Sequence, residues 1–332
     1  MPLSIDSPEA AVAATPYLIG FTPQDSLVLL LLSDDGRLQV SLRVDLPHAG
    51  DLDWLLTVLH GIPEDPMPVA ALLIAYADEC PAEHAHAAGL WVMHVLLPVL
   101  DVLDVVLVAE DRYATLQRGQ SSPAEGEPLA DLAEHPIVAA CVASGLVRLP
   151  SRDDLEAQMQ PVLDWVYSQV DGLLRSNRCG DYELQRDRLE GEALLALTGS
   201  DDLCPADVAG VARACADVHV RDPLLAQMLT GEDGPSAAPL HHVRTRLLYC
   251  LVHTPGRWAG GVAATLALVA WADGDGAAAL MAADRAQQAD PANTLGPLVA
   301  RALQFGMPPS TWAKLTEDIP LDVLRGRERR SA

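Results

Sequence analysis

Lysine is nearly absent from this chain: of 22 basic residues only Lys314 is a lysine. A P-loop needs a lysine at the β- and γ-phosphates, a protein-kinase site needs one on a strand, and pyridoxal phosphate needs one for its Schiff base. Lys314 follows Trp312 near the C-terminus in none of those contexts, which excludes all three chemistries. Positive charge is scarce altogether. Against 46 acidic residues the formal net charge is −24, so a phosphate backbone is repelled and nucleic acid is not an expected partner.

Paired cysteines and long apolar runs are missing too. Cys80, Cys141, Cys179, Cys204, Cys215 and Cys250 include no C-x-x-C spacing, so neither a zinc ribbon nor a thioredoxin-type motif is present. They read as small core residues in a reducing cytoplasm. The opening residues 1–9 lack the charged and apolar regions of a signal peptide. The longest apolar stretch, residues 88–109, is broken by His94, Pro98, Asp101 and Asp104, and predicts a buried helix followed by a strand instead of a membrane span. A cytoplasmic chain without membrane contact is the expectation. G-x-S-x-G, H-E-x-x-H and G-x-G-x-x-G occur nowhere, which removes the common hydrolase, zincin and Rossmann signatures.

What is present describes a globular protein: 332 residues, 50% of them hydrophobic and 20% charged, long enough for two domains. Residues 26–33 are a continuous apolar run, Asp34-Asp-Gly36 signals a turn, and residues 37–45 alternate with period two. Together they predict a β-hairpin whose first strand is buried on both faces. An acidic-started helix over 51–59, a β-type run over 69–76, a helix over 83–97 and a third β-type run over 102–109 follow. That order predicts an α/β domain over residues 1–150, its mixed sheet opening with the hairpin and largely parallel thereafter. Residues 115–135 are rich in Gly, Pro and Ser and read as a junction or a long loop. From Ser151, an N-cap followed by acidic residues, the pattern is helical, giving an all-α domain over 151–332. Within it, residues 258–306 carry the spacing of a tetratricopeptide-like helix pair in Leu266, Gly274, Ala279, Ala286 and Pro291. A single unit does not make an extended superhelix.

Tyr17-Leu-Ile-Gly-Phe-Thr-Pro-Gln-Asp-Ser-Leu-Val28, followed by Arg43-Val-Asp-Leu-Pro47, resembles the opening block of the actinobacterial domain of unknown function DUF4192. Arg112-Tyr113, Pro123-Ala-Glu-Gly-Glu-Pro-Leu129, Gly145 and Ser151-Arg-Asp-Asp-Leu155 are similar to its middle block in type and order. Trp271 to Asp275 and Gly306 to Trp312 resemble its last one. The resemblance therefore reaches both ends of the chain, and it implies no activity, because the family has none assigned. One departure is local: members carry a small cysteine cluster before the Pro-x-Glu-Gly segment, where this chain has Gln120-Ser121-Ser122. Any metal or redox role of those cysteines would be missing here.

Candidate site residues are few. Asp25 and Ser26 precede a buried strand, where they either cap the chain or present a carboxylate and a hydroxyl at the sheet edge. Arg43 and Asp45 share a strand face, fit for an ion pair or a ligand contact. Arg112 and Glu125 belong to a polar loop on a rigid scaffold, a common place for binding groups. Glu83, His84, His86 and His94 do not share a helix face tightly enough to chelate a metal. Asp273-Gly-Asp-Gly276 lacks the fifth-position oxygen of a calcium loop and reads as a turn between helices. No cofactor or metal is expected. The basic run Arg325-Gly-Arg-Glu-Arg-Arg330 reads as a solvated tail. Three functions fit: a non-catalytic interaction or regulatory protein that binds a protein segment through its C-terminal helices; an enzyme of unrecognised class with a pocket at the strand ends lined by Asp25, Ser26, Arg43, Asp45 and Arg112; or a subunit of a larger assembly.

Overall fold

The computed structural model describes residues 4–46, 68–176, 182–230, 239–307, 309, 311–312 and 319–327. The helix expected over 51–59, Cys179, Lys314 and residues 328–330 of the basic run lie outside them. The chain divides into two compact units, Met1–Leu155 and Glu156–Ala332.

The first unit opens with α1 (Pro8–Ile19). Ser7 caps it by accepting from the Ala10 N–H at 3.2 Å, Pro8 sits in the first turn where its missing N–H costs nothing, and Gly20 ends it at φ 84°. β1 (Ser26–Leu32) and β2 (Leu38–Asp45) form the expected hairpin, with Leu27 opposite Val44. Every residue of β1 is buried, so the strand needs cover on both faces and a partner along both edges. Its second edge takes β3 (Ala70–Ala77), antiparallel and buried throughout. β3 leads through α2 (Ala82–Leu96) to β4 (Asp101–Ala109), which lies parallel to it with Ile74 opposite Val106. β5 (Arg112–Thr115) and β6 (Glu127–Pro128) complete a sheet in the order β2-β1-β3-β4-β5-β6.

Side-chain parity divides the core. Leu27, Leu29, Leu73 and Val105 pack with Val92 and Leu96 of α2 on one face. Val28, Leu30, Leu72 and Ile74, one residue out of step, are equally buried on the face that α1 covers. Strands covered on both faces read as unbroken apolar runs, which is why β1, β3 and β4 are visible in the sequence. The sheet is mixed, as expected, and among the described strands the parallel pair is β3 with β4. β4 and β5 are joined by a two-residue turn, and so short a connection permits only an antiparallel pair. The stretch read as a junction or loop is a series of short 3-10 turns with one two-residue strand, β6, that adds to the sheet edge. Gly126 lies so close to β5 that a Cβ there would stand 1.9 Å from the Tyr113 carbonyl oxygen. α3 (Pro136–Ala143) follows, and α4 (Arg152–Ala157) begins at Ser151, whose hydroxyl accepts from the Asp154 N–H at 3.2 Å.

The second unit is helical: α5 (Trp165–Arg175), α6 (Tyr182–Thr198), α7 (Pro205–Ala216), α8 (Val218–Thr230), α9 (Leu240–Val252), α10 (Trp258–Ala272), α11 (Gly276–Ala289), α12 (Leu295–Gln304) and α13 (Leu321–Leu324). α10 is apolar all round and buried from Ala259 to Trp271, as such a helix must be. Glycines bring its neighbours close. A Cβ on Gly261 would lie 2.6 Å from the Cys215 carbonyl of α7, and one on Gly260 would lie 2.5 Å from the Asp290 side chain beyond α11. Asp273 to Gly276 is the turn between α10 and α11: Gly274 takes φ 86°, and Asp275 caps α11 through the Ala278 N–H at 2.9 Å while pairing with Arg244 at 2.8 Å. Among the described residues no group of three or more His, Cys, Asp or Glu could hold a metal ion, and no helix is long and apolar enough to cross a membrane.

The basic run is not simply a solvated tail. Arg325 forks onto the buried Glu190 of α6 with bonds of 3.0 and 2.7 Å, and Gln227 donates to the same carboxylate at 2.6 Å. Arg327 pairs with Asp187. Removing one member of a buried pair strands the other charge in a low-dielectric site, which costs far more than the pair contributes. Arg325→Ala is expected to destabilise the protein by about 3 kcal/mol, read as a lower urea midpoint, whereas Arg325→Ala with Glu190→Leu should recover most of that loss.

Candidate functional site

Open α/β sheets take ligands beyond the carboxyl ends of their parallel strands. A cleft of about 300 Å³ opens there, at the ends of β3 and β4. Val12 and Pro16 of α1, Val108 of β4, and Leu129 and Leu132 after β6 supply apolar wall. Tyr76, the β3 residue paired with Ser26, lines it too. Its hydroxyl is buried and makes no hydrogen bond of good geometry; the neighbouring Thr15 hydroxyl donates to the Ala11 carbonyl at 2.7 Å. Burial pushes the Tyr76 phenol above its ordinary pKa, an effect the Thr15 contact only partly offsets.

The rim of the cleft is charged and exposed. Arg148 stands over the Tyr17 ring, 5.7 Å from its centroid. That contact occupies the face of the guanidinium and leaves its N–H edge available to an anion. Asp78 and Glu110 follow β3 and β4 directly. Glu110 is backbone-strained: it is the first central residue of the β4–β5 turn and takes φ 55°, while Asp111 does not share the positive φ. A positive φ is a conformation glycine adopts freely, and a bulky residue there costs about 1 kcal/mol or more.

None of the six residues expected to form a site lines this cleft. Asp25 is a structural clamp. At φ 39°, a conformation aspartate tolerates, its carboxylate accepts from the backbone N–H groups of Asp78, Glu79 and Cys80 at 2.8, 3.3 and 2.9 Å. Partial burial alone would raise its pKa, but these three donors together bring it below the usual carboxylate value. Ser26, Arg43 and Asp45 do come together. Arg43 donates to the Ser26 hydroxyl at 2.9 Å and to Asp45 at 2.6 Å, and lies over the Phe21 ring. Burial lowers the Arg43 pKa, with Asp45 opposing it. Arg112 and Glu125 belong to a separate set. Arg112 donates to the carbonyls of Pro123 and Gly126, and Glu125 accepts from the Ser121 N–H at 3.0 Å, so both fold the loop onto β5.

The model of the family described as Domain of unknown function (DUF4192) matches residues 8–310. The chain belongs to the DUF4192 family. Comparison with curated proteins and with solved structures returns no match. The DUF4192-like opening block now has a physical account: Gly20 stops α1, Phe21 is buried beneath Arg43, and Asp25 ties the start of β1 to the loop leaving β3. The residues of the cleft left little trace. Arg148 sits in a stretch without a motif, and only the position of Glu110, just past a buried strand, could have marked it.

Asp25→Ala is expected to cost about 2 kcal/mol through three lost charge-assisted bonds. Because the folded pKa of Asp25 is depressed, its contribution is present above the unfolded carboxylate value and is lost as pH falls through the lower folded value. Urea midpoints measured from pH 7 down to pH 3 should therefore fall less steeply for Asp25→Asn than for the parent. Glu110→Gly should stabilise the protein by about 1 kcal/mol, seen as a higher melting temperature.

Proposed function

We propose that the N-terminal unit is a small-molecule-binding module and that the protein works without catalysis, as a ligand-dependent regulatory protein of the cytoplasm. The observation that carries this reading is the cleft itself: a wall that mixes apolar side chains with polar and charged ones, at the ends of the parallel pair, of a size suited to a small ligand. Its lining includes no Ser, Cys, His or Lys, and its carboxylates, Asp78 and Glu110, stand on the exposed rim, a placement that suits holding a ligand's charge. The spread of free cysteines, Cys80, Cys141, Cys204, Cys215 and Cys250, supports the cytoplasmic part.

A second reading places a partner protein on the helical unit. It draws on Leu298 and Phe305, which are exposed in and just after α12. Its support is weaker, because α10, half of the tetratricopeptide-like pair, is enclosed and presents no groove of its own.

Thermal shift with a library of metabolites tests the first reading. A ligand at a hundred times its Kd contributes about 2.7 kcal/mol, enough to raise the melting temperature by roughly 5 °C or more. Ala133 is exposed on the rim of the cleft, so Ala133→Trp should narrow it while leaving the core intact. A compound that stabilises the parent and not Ala133→Trp is the expected result. If no compound distinguishes them, the ligand-binding reading fails.

A further inference from the structure

The cleft carries charges of both signs on its rim, Arg148 against Glu110 and Asp78, and has apolar side chains in its lining. Arg148 has its guanidinium face on Tyr17 and forms no ion pair among the described residues. Glu110 is likewise without an ion-pair partner among them, and it stands where the backbone would prefer glycine. A strained, non-glycine residue held at a cleft is an outlier whose side chain has work to do there, because the fold alone would be better served by its removal. Asp78, which follows the strand that neighbours β4, adds a second carboxylate to the lining.

These features ask for a ligand with an anionic group, a cationic group and an apolar body. A simple carboxylate would use Arg148 but would leave Glu110 and Asp78 facing negative charge, and it would approach against the field of a chain of net charge −24. A simple amine would leave the guanidinium unmatched. A zwitterion approaches without net charge and meets both partners at once. The cleft volume of about 300 Å³ is at the small end of ligand pockets, enough for a molecule of amino-acid size and too little for a dinucleotide.

Resting on the reading of this cleft as a ligand site, we propose that it takes an apolar α-amino acid. The carboxylate pairs with the N–H edge of Arg148, the ammonium is held at Glu110 with Asp78 beside it, and the side chain enters between Val12, Pro16, Val108 and Leu132. Glu110 then explains its own conformation: the turn that strains it is the turn that places its carboxylate at the mouth of the cleft.

Calorimetric titration of the full chain tests this. The probes are L-leucine, L-methionine, L-phenylalanine and L-tryptophan, each beside its analogue lacking the amine and its analogue lacking the carboxylate. At least one amino acid should bind, and at least tenfold more tightly than both of its one-charge analogues. Arg148→Gln and Glu110→Gln should each weaken it tenfold or more. If none of the four binds, if the one-charge analogues bind as well, or if Glu110→Gln leaves the affinity unchanged, the proposal is overturned. The two readings fail separately: a library compound that senses Ala133→Trp keeps the cleft as a ligand site even when amino acids do not bind, whereas no such compound removes both. Glu110→Gly separates strain from binding, since it should raise the melting temperature while abolishing the amino-acid response.

Discussion

The complete burial of β1 is the constraint on which the N-terminal unit depends. A seven-residue strand with no solvent-facing side must have a helix layer on each face, or apolar surface worth roughly 1.5–3 kcal/mol per large side chain stays in water. It must also pair along both edges, because a buried N–H or carbonyl without a partner is costly. The antiparallel partners β2 and β3 meet the second demand, and α1 and α2 meet the first. The cleft follows from the same arrangement. It opens beside α1, where β3 and β4 run out beneath the segment that follows β6.

How far this was legible in the sequence depended on range. Runs such as residues 26–33 and 102–109 announce buried strands because burial on both faces selects apolar residues at every position. β5 and β6 gave no such signal. Four residues and two residues are too short to show a period, and what holds them is Arg112 binding carbonyls more than ten positions away. The same limit explains the expected site residues. Asp25, Ser26, Arg43 and Asp45 were recognisable as polar groups at a sheet end, but the donors that engage Asp25 lie 53 to 55 positions further along the chain. A carboxylate that clamps a loop and one that receives a ligand look alike until those partners are placed.

Asp25 and Glu110, the two non-glycine residues with positive φ among the described residues, show how differently strain is treated in one sheet. Asp25 is compensated locally by three hydrogen bonds to the β3–α2 loop. Glu110 has no such compensation among the described residues and lies two strands away at the cleft. Strain that is repaid within the fold needs no further cause; strain that is not repaid points outward, toward something the free protein does not contain.

The pairing of Arg325 with Glu190 also bears on how the molecule is made. The two residues are 135 positions apart, so at ordinary elongation rates of ~5–20 residues per second the acid waits on the order of ten seconds for its base. During that interval water can solvate the Glu190 carboxylate, which the finished unit buries against Arg325 and Gln227. The N-terminal unit has a distant pair of its own, Arg118 with Glu9, 109 positions apart, but it is complete before the helical unit is made. Domains generally fold as units in the order they are synthesised, so the helical unit is the one whose closure depends on its latest residues, with Arg325, next after α13, as the latch on α6.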